Sequence, residues 1–382
     1  MNITVLILGG GLQALSTACS LKREGYYTIC CASRGDVCQH SRFVDNFVPI
    51  SYIDNNIYPT DLLSTIHQFD IKVIIPMSDK SAEYLSIYKD VIEQNTQCKC
   101  AAPDINLFYK GADKASLMAF CEQYNFPHPK TYPLSFDTLT ETTKHITFPA
   151  LIKPNHSVGA RGITYVNNKE ELENNFVDIQ ENYGETTLQE YVDTTDMPYY
   201  NVMLYRNAQG IILGHTVIEI LRFYPIKGGS SSFCRTIEKR DLLDICIKLL
   251  DKLNWVGMAD LDVLVNTSGE YKIIELNPRV PASLRAADIA GINFPHLIVC
   301  DLLKLPNPVS TYKTGFFLRY LGLDIMWFLK SPQRFKSKPS WFLCFGKKVF
   351  FQDIYATDPT TWWKWFTHGF QRYLNKIKHL HH

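Results

Sequence analysis

Two apolar segments in the second half of the chain constrain the fold most strongly. Residues 257–265 (GMADLDVLV) and 271–276 (YKIIEL) are predicted to be neighbouring strands, because the linker NTSGE between them has the composition of a hairpin turn. In that arrangement Asp262 can lie beside Glu275. Asn277 projects from the same face as Glu275, since side chains alternate along a strand. The hairpin therefore gathers three oxygen-bearing side chains on one surface.

These side chains have the chemistry of a metal site. Mg²⁺ prefers hard oxygen ligands in octahedral geometry, so Asp262, Glu275 and Asn277 are predicted to bind it, with phosphate oxygens and water completing its coordination. Pro278 ends the second strand, and Arg279 follows as a residue that can hold an anion through two parallel hydrogen bonds. A plain hairpin with one satisfied carboxylate is the alternative interpretation.

A glycine-rich segment upstream has the composition of a phosphate-binding loop. The strand predicted over residues 148–153 (FPALIK) ends in Lys153, and residues 157–162 (SVGARG) form a loop before the next strand. The backbone amides of such a loop can approach phosphate oxygens closely, while Lys153 supplies a point charge. A plain β-hairpin with glycines at its turn is the alternative.

Composition limits the class of protein. The chain has 382 residues, 46% apolar and 20% charged, as expected for a soluble globular protein of two or three domains. Its formal net charge of +1 gives no global field that would favour nucleic acid. Eleven Cys without CxxC or zinc spacing predict reduced, mostly buried thiols of a cytoplasmic protein. We expect neither a signal peptide nor a membrane span, because the apolar runs are too short.

Residues 1–112 alternate between predicted strands and helices, which indicates a parallel sheet covered on both faces. Residues 9–14 (GGGLQA) match a dinucleotide-binding fingerprint, but residues 31–34 (CASR) lack the acid that would hold the ribose. We interpret the glycines as a tight turn at an anion-friendly helix start. A nicotinamide-dependent oxidoreductase remains an alternative, because Arg34 suits a 2′-phosphate.

Three further segments complete the pattern. Ser78 or Asp79 is predicted to cap a helix at the edge of the same crevice, a role that can coexist with ligand binding. Lys114 opens a helix immediately after the first domain, and residues 187–192 (TLQEYV) read as a strand.

The order of these elements resembles the ATP-grasp superfamily, most closely its carboxylate–amine ligases and carbamoyl phosphate synthetase-like members. The resemblance covers residues 1–305 and rests on Lys114, Lys153, the glycine loop, TLQEYV and the hairpin ending in ELNPR. It implies an α/β protein in which a Rossmann-like domain is followed by an ATP-grasp fold of two α+β subdomains. The implied units are a Rossmann-like parallel-sheet domain (1–112), a small ATP-grasp subdomain with the glycine loop and hinge (113–192), a large subdomain with the metal and substrate sites (193–310), and a basic, aromatic-rich C-terminal extension (311–382).

The resemblance also implies a role for each matching residue. Contacts with ATP are expected from Lys114, Lys153, Ser157, Gly159, Gly162, Gln189, Glu190, Tyr191, Val192 and Asp196. Mg²⁺, with Mn²⁺ as a substitute, is expected on Asp262, Glu275 and Asn277. Lys153 and Arg279 are expected to act on the transferred phosphoryl group, and substrates are expected to be selected by Arg222, Arg279, Arg285, Gly229 and Ser230.

The implied activity is that of an ATP-dependent, C–N bond-forming ligase, which converts a small carboxylate to an acyl phosphate and then to an amide, releasing ADP and phosphate. No nucleic acid partner is expected, and a homodimer is allowed. Residues 199–201 (YYN) stand where many relatives carry an acid, which leaves ribose recognition open. Ala282 replaces a second arginine and argues against carbamoyl phosphate synthesis. A non-catalytic ATP-binding protein is a further alternative.

The C-terminal extension has a composition of its own. Residues 311–382 contain twelve Lys and Arg against three Asp, and five of the six Trp. Aromatic and basic residues together are typical of a patch that contacts a membrane surface. We favour the simpler interpretation that the extension packs on the preceding domains, because aromatic residues fill cores readily and lysines usually face water.

Overall fold

The computed structural model describes residues 3–50, 59–155, 162–226, 228–342 and 346–363. Within these ranges the chain forms a five-stranded sheet, a four-stranded sheet and a seven-stranded sheet. In the same ranges, none of the helices is both long enough and apolar enough to cross a bilayer.

The first sheet consists of five parallel strands in the order β3-β2-β1-β4-β5. They are β1 (Thr4–Leu8), β2 (Tyr27–Ala32), β3 (Asn46–Pro49), β4 (Ile71–Pro76) and β5 (Lys99–Cys100), accompanied by α1 (Leu12–Arg23), a 3-10 turn (Val37–His40), α2 (Pro59–Phe69), α3 (Asp79–Asn95) and α4 (Ile105–Ala112). Val5 and Ile7 of β1 are buried in one apolar cluster with α1, whereas Leu6 and Leu8 are buried in another with α2. The prediction of a parallel sheet covered on both faces is confirmed.

The second sheet is antiparallel, with the order β6-β9-β7-β8. Helix α5 (Lys114–Gln123) precedes this sheet. The elements of the sheet are β6 (Thr131–Leu134), α6 (Leu139–His145), β7 (Ala150–Pro154), β8 (Thr164–Val166), α7 (Lys169–Tyr183) and β9 (Thr186–Glu190). Asp113 caps α5 by accepting a hydrogen bond from the Ser116 amide at 2.8 Å, so Lys114 stands at the first helical position. Because β7 ends at Pro154, Lys153 lies at the edge of this sheet.

The third sheet has the order β14-β13-β10-β11-β12-β15-β16. Its elements are β10 (Tyr199–Arg206), β11 (Ile212–Tyr224), β12 (Ser230–Ile237), α8 (Arg240–Leu253), β13 (Gly257–Val265), β14 (Tyr271–Asn277), α9 (Leu284–Ile289), α10 (Phe294–Leu302), β15 (Phe317–Arg319), α11 (Leu321–Lys330) and β16 (Val349–Phe351). The buried Leu249 and Leu253 of α8 pack in one cluster with Trp255 and with Leu261 of β13. The predicted hairpin of β13 and β14 is therefore one edge of a large, well-packed sheet.

The C-terminal residues that the structure describes extend this third sheet. Strand β15 pairs with β12, and β16 pairs with β15. Arg222 of β11 donates hydrogen bonds to both carboxylate oxygens of Asp324 in α11 at 3.0 Å, and Arg319 lies 2.9 Å from the same carboxylate. All three side chains are buried. This arrangement supports our interpretation that the extension packs on the preceding domains.

A short segment after β16, residues 352–361, which we call the strap, contacts the first domain. The Ser41 hydroxyl donates to Asp358 at 2.7 Å, and the Tyr355 hydroxyl lies 2.9 Å from Ser16 Oγ. Arg285 of α9 donates to the Ile354 carbonyl at 2.8 Å. The strap therefore connects the first domain to the helices that follow the hairpin.

Candidate active site

The hairpin of β13 and β14 brings acidic and amide side chains together as predicted. Asp262 is paired in register with Glu275, and Asp260 is paired with Asn277. The Asn277 amide nitrogen lies 3.5 Å from an Asp262 oxygen, a distance at which the hydrogen bond is weak. Asp260, Asp262, Glu275 and Asn277 share one face of the sheet, because the register alternates faces along both strands.

Asp260 is a third acid at this surface, which sequence reasoning did not include among the site residues. Its side chain is 3% exposed, and its Oδ1 has no hydrogen-bond donor within the described ranges. Burial, followed by the negative charge of Asp262, raises its pKa well above the usual value. The alternation of side chains was the signal that could have found it, since Asp260 stands two residues before Asp262.

Asp262 has a positioning partner on the adjacent strand. Asn201 of β10 donates its amide hydrogen to Asp262 Oδ1 at 3.0 Å, which explains why residue 201 need not be an acid. Burial, together with the charge of Glu275, raises the pKa of Asp262 to about 6. Burial, followed by the negative charge of Asp262, raises the pKa of Tyr199 above its usual value. Neither Tyr199 nor Asn201 was predicted as a site residue.

The residues at this surface fit a divalent cation that also binds phosphate. The described part of the chain has no group of three His, Cys, Asp or Glu side chains arranged as a complete metal site. Asp262, Glu275 and the amide of Asn277 would therefore provide only part of the coordination shell, as Mg²⁺ sites shared with nucleotide phosphates do. The unpartnered oxygen of Asp260 and the raised pKa of Asp262 both reflect negative charge that a cation would neutralise.

Two lysines, one on α5 and one on β7 of the four-stranded sheet, lie near this acidic surface. Lys114 Nζ lies 3.1 Å from Glu275 Oε1, although the two residues are on different elements, α5 and β14. Lys153 is buried and donates a hydrogen bond to Gln189 Oε1 at 2.5 Å. Burial chiefly lowers the pKa of Lys153 to about 8; the charge of Lys114 lowers it further, and the charge of Glu275 opposes both. The structure thus brings the lysines predicted to bind phosphate close to the residues predicted to bind Mg²⁺.

Arg279 connects the hairpin to the first domain. Its Nε donates to Asp79 Oδ1 at 2.9 Å, and its Nη2 donates to Asn277 Oδ1 at 3.1 Å. Ser78 caps α3 by accepting a hydrogen bond from the Ser81 amide, and the Ser81 hydroxyl completes a capping box. The start of α3 therefore does not need the Asp79 side chain as a cap, and that carboxylate holds Arg279 instead.

The hinge residues lie where β9 ends. Gln189 orients Lys153 and donates to Thr131 Oγ1 at 2.8 Å, so its side chain acts within the protein in this structure. The amides of Glu190 and Tyr191 donate to the carbonyls of Lys130 and Pro149. Roles for these three residues, for Val192 and for Asp196, an exposed residue with a φ of 57°, remain predictions. Ser157 and Gly159 lie outside the described residues, and Gly162 has a φ of 74° beside Pro154 and Tyr183.

Several predicted substrate residues lie away from this centre. Arg222 donates hydrogen bonds to Asp324 and, at 3.0 Å, to the Pro339 carbonyl. Its guanidinium also lies over the rings of Phe233 and Trp327. Arg285 is held by the strap, with its guanidinium 3.6 Å from the ring centre of Tyr355. Gly229 and Ser230 lie at the exposed turn between β11 and β12. The structure therefore corrects the substrate role given to Arg222, because its hydrogen-bonding groups face a buried carboxylate rather than the crevice.

In the first domain, the anion site at the glycine turn before α1 is occupied by a carboxylate of the protein. Asp36 Oδ2 accepts a hydrogen bond from the Gly11 amide at 3.0 Å, where α1 begins. A side chain at Gly10 would collide with the Asp36 carboxylate. A helix N-terminus is a ready anion site, and here an internal carboxylate occupies it, which counts against a pyrophosphate and against the oxidoreductase alternative.

Comparison with known proteins agrees with this geometry. Residues 111–283, which include both lysines and the whole hairpin, match the family model of the ATP-grasp domain. The chain is 25% identical over 271 residues to a D-aspartate ligase from Enterococcus faecium strain Aus0004, a match that covers 62% of this chain and 63% of that protein. The match therefore spans somewhat less than two thirds of the relative's length.

Solved structures show the same architecture. A biotin carboxylase from Campylobacter jejuni superposes with a TM-score of 0.68 at 15% identity, over 82% of this chain and 74% of that chain. An L-amino acid ligase from Bacillus licheniformis superposes with a TM-score of 0.61 at 13% identity, over 79% and 74%. Residues 111–283 thus match the ATP-grasp domain, and the parallel-sheet domain precedes that match in the chain.

Proposed function

We propose that this protein is an ATP-dependent carboxylate–amine ligase. The observation that supports the proposal best is the ion pair between Lys114 and Glu275, with Nζ and Oε1 3.1 Å apart. It places a cation suited to phosphate against a carboxylate suited to Mg²⁺, because Leu117 and Met118 of α5 are buried in one cluster with Leu276 of β14. The buried Lys153 reinforces the same centre.

In the first step, a carboxylate oxygen of the substrate attacks the γ-phosphorus of ATP. The bond from that phosphorus to the bridging oxygen breaks, which gives an acyl phosphate and ADP. Mg²⁺, when bound by Asp262, Glu275 and Asn277, supplies charge neutralisation at the phosphate oxygens. Lys114 and Lys153 add positive charge at fixed positions, so the protein contributes positioning and electrostatic stabilisation rather than a covalent nucleophile.

In the second step, the amine nitrogen attacks the acyl carbon, phosphate leaves with the bridging oxygen, and the nitrogen loses a proton to give the amide. Arg279 holds the acyl group in place, because it stands next to Asn277 at the end of the hairpin. A planar guanidinium suits a carboxylate or a phosphoryl group through parallel hydrogen bonds.

Amino acids are the acids that we propose first. Asp79 lies beside Arg279, so a substrate with a carboxylate and a nearby ammonium group meets one opposite charge for each. The relative named D-aspartate ligase points to the same class of compound. We propose Mn²⁺ as a working substitute for Mg²⁺, since both prefer oxygen ligands. The reaction is assigned to the cytoplasm, where ATP is available, and a homodimer is compatible with it.

The test is a screen for ADP release with Mg·ATP, using amino acids and sugar acids, each with and without amines. We expect at least one acid to release ADP only when an amine is present. Glu275→Ala should abolish this release, whereas Glu173→Ala on the exposed face of α7 should not. ATP binding without ADP release from any acid would favour a non-catalytic nucleotide-binding protein, and normal turnover by Glu275→Ala would refute the metal assignment.

A further inference from the structure

The segment from α11 to Phe342 exposes an unusual set of apolar side chains. Leu329, Phe335 and Phe342 are 60%, 72% and 64% exposed, and Ile325 is also exposed. Large apolar side chains that lie singly on a surface need no explanation, but a contiguous group of them marks an interaction site. These four side chains fall within residues 325–342, which we call the docking patch.

The rings of the docking patch are held on a rigid base. Phe335 and Phe342 pack against Phe328, with ring centres 5.5 and 5.8 Å apart, and Phe328 packs on Trp341 at 4.4 Å. The Trp341 indole donates to the carbonyl of Asp324 at 3.0 Å, and Asp324 is fixed by the buried arginines of the third sheet. The exposed rings are therefore presented in fixed positions and are not the ends of a loose tail.

The same segment carries positive charge only. Lys330, Arg334, Lys336 and Lys338 lie within it, and residues 325–342 contain no Asp or Glu. Within the described ranges, none of these four cations forms an ion pair. The Arg334 guanidinium lies 5.4 Å from the Phe335 ring centre, so cation and apolar surface are interleaved.

We propose that the docking patch binds the surface of an anionic lipid bilayer. Exposed aromatic and aliphatic side chains insert into the headgroup region, and basic side chains around them attract anionic lipids. Charge excludes two other occupants. Residues 364–382 carry four Lys and Arg and no acid, and a second copy that paired through the same patch would present the same positive charge, so both would be repelled. An anionic bilayer offers both an apolar region into which the rings can insert and negative charge that attracts the basic side chains.

Vesicle co-sedimentation tests the proposal without depending on the enzymatic reaction. The full chain should sediment with vesicles of equal phosphatidylglycerol and phosphatidylcholine at about 0.05 M salt, but not with phosphatidylcholine alone, and binding should weaken strongly at about 0.5 M salt. Phe335→Ala/Phe342→Ala and Lys336→Glu/Lys338→Glu should each lower the vesicle partition coefficient at least about tenfold.

Matched variants separate the patch from general effects of hydrophobicity and charge. Phe136→Ala removes a ring that is 64% exposed on the small subdomain, and Lys248→Glu/Lys313→Glu makes the same change in net charge at two exposed lysines elsewhere. These variants should bind vesicles like the wild type. Absence of sedimentation with the anionic vesicles at low salt would overturn the proposal. Equal losses for patch and control variants would overturn it too, as would binding of an acidic protein through the patch without vesicle binding.

Discussion

Asp79 Oδ1 and Arg279 Nε lie 2.9 Å apart, and this ion pair joins the first domain to the end of the hairpin of β13 and β14. Arg279 also donates to Asn277, one of the residues assigned to Mg²⁺. A substrate that engages Arg279 as proposed would therefore act on both the domain contact and the proposed metal site.

Replacing Asp79 should affect the acid substrate selectively. Asp79→Ala removes the charge that balances Arg279 and would meet a substrate ammonium, so we expect KM for an amino acid to rise at least about tenfold. KM for ATP should change little. Asp90→Ala, on the exposed side of the same helix, is the control. The pair is partly exposed, so its loss should cost less than about 1 kcal/mol of stability. An unchanged KM for the acid would contradict the assignment.

The pKa of Lys153 predicts a pH dependence. Burial lowers this pKa to about 8, so the charged form of Lys153 is lost as pH rises through that value. Because kcat/KM reports groups of the free enzyme, kcat/KM for ATP should fall above pH 8, by about tenfold per pH unit. Lys153→Arg keeps its charge at high pH and should remove this decline, although its maximum rate should be lower. A wild-type profile that stays flat to pH 10 would exclude the role of Lys153 as a phosphate-binding cation.

Asp260 should make the metal-free protein less stable. A buried acid with one oxygen that lacks a hydrogen-bond donor, beside two other carboxylates, is unfavourable, so Asp260→Asn should raise the free energy of unfolding by about 1–3 kcal/mol without Mg²⁺. Added Mg²⁺ should stabilise the wild type more than the variant. Thermal melting with and without Mg²⁺ measures both effects. A lower melting temperature for metal-free Asp260→Asn would show that the carboxylate has a partner that stabilises it.

Arg222 should matter for stability rather than for substrate selection. Arg222→Ala leaves Asp324 buried with one of its two arginines missing, so we expect a loss of about 3–5 kcal/mol in urea unfolding. Arg240→Ala, which breaks the exposed pair with Glu238, should cost less than about 1 kcal/mol. A raised KM for the acid in Arg222→Lys, at unchanged stability, would restore Arg222 to the substrate site.

Local sequence patterns were enough to predict the helices and strands that carry the site. The partners of individual side chains depend on contacts between residues that are distant in sequence. Alternating side chains and the NTSGE turn were enough to predict the hairpin and to place Asp262 beside Glu275. Asp324 lies 102 residues from Arg222, so no local pattern could reveal that this arginine is already paired. Asp36 similarly reaches back 25 residues to fill the glycine turn.

Local patterns likewise could not reveal the contacts between the acids and lysines of the candidate active site. Lys114 and Glu275 were predicted separately, from a helix start and a strand end, and their contact depends on the packing of α5 against β14. Asn201 replaced an expected acid in the sequence, and only the pairing of β10 with β13 shows that it supports Asp262 instead. Packing, rather than propensity, determines such partnerships.

The strap has a consequence for the order in which the protein can be completed. Asp358 binds Ser41, which precedes it by 317 residues, and Tyr355 contacts Ser16 across 339 residues. Contacts so distant in sequence form late, because the chain between their ends must be ordered first. During synthesis, the first domain and the hairpin therefore emerge from the ribosome before the segment that ties them together. A polypeptide released before residue 352 would contain all the proposed catalytic side chains but not the strap that connects the first domain to α9.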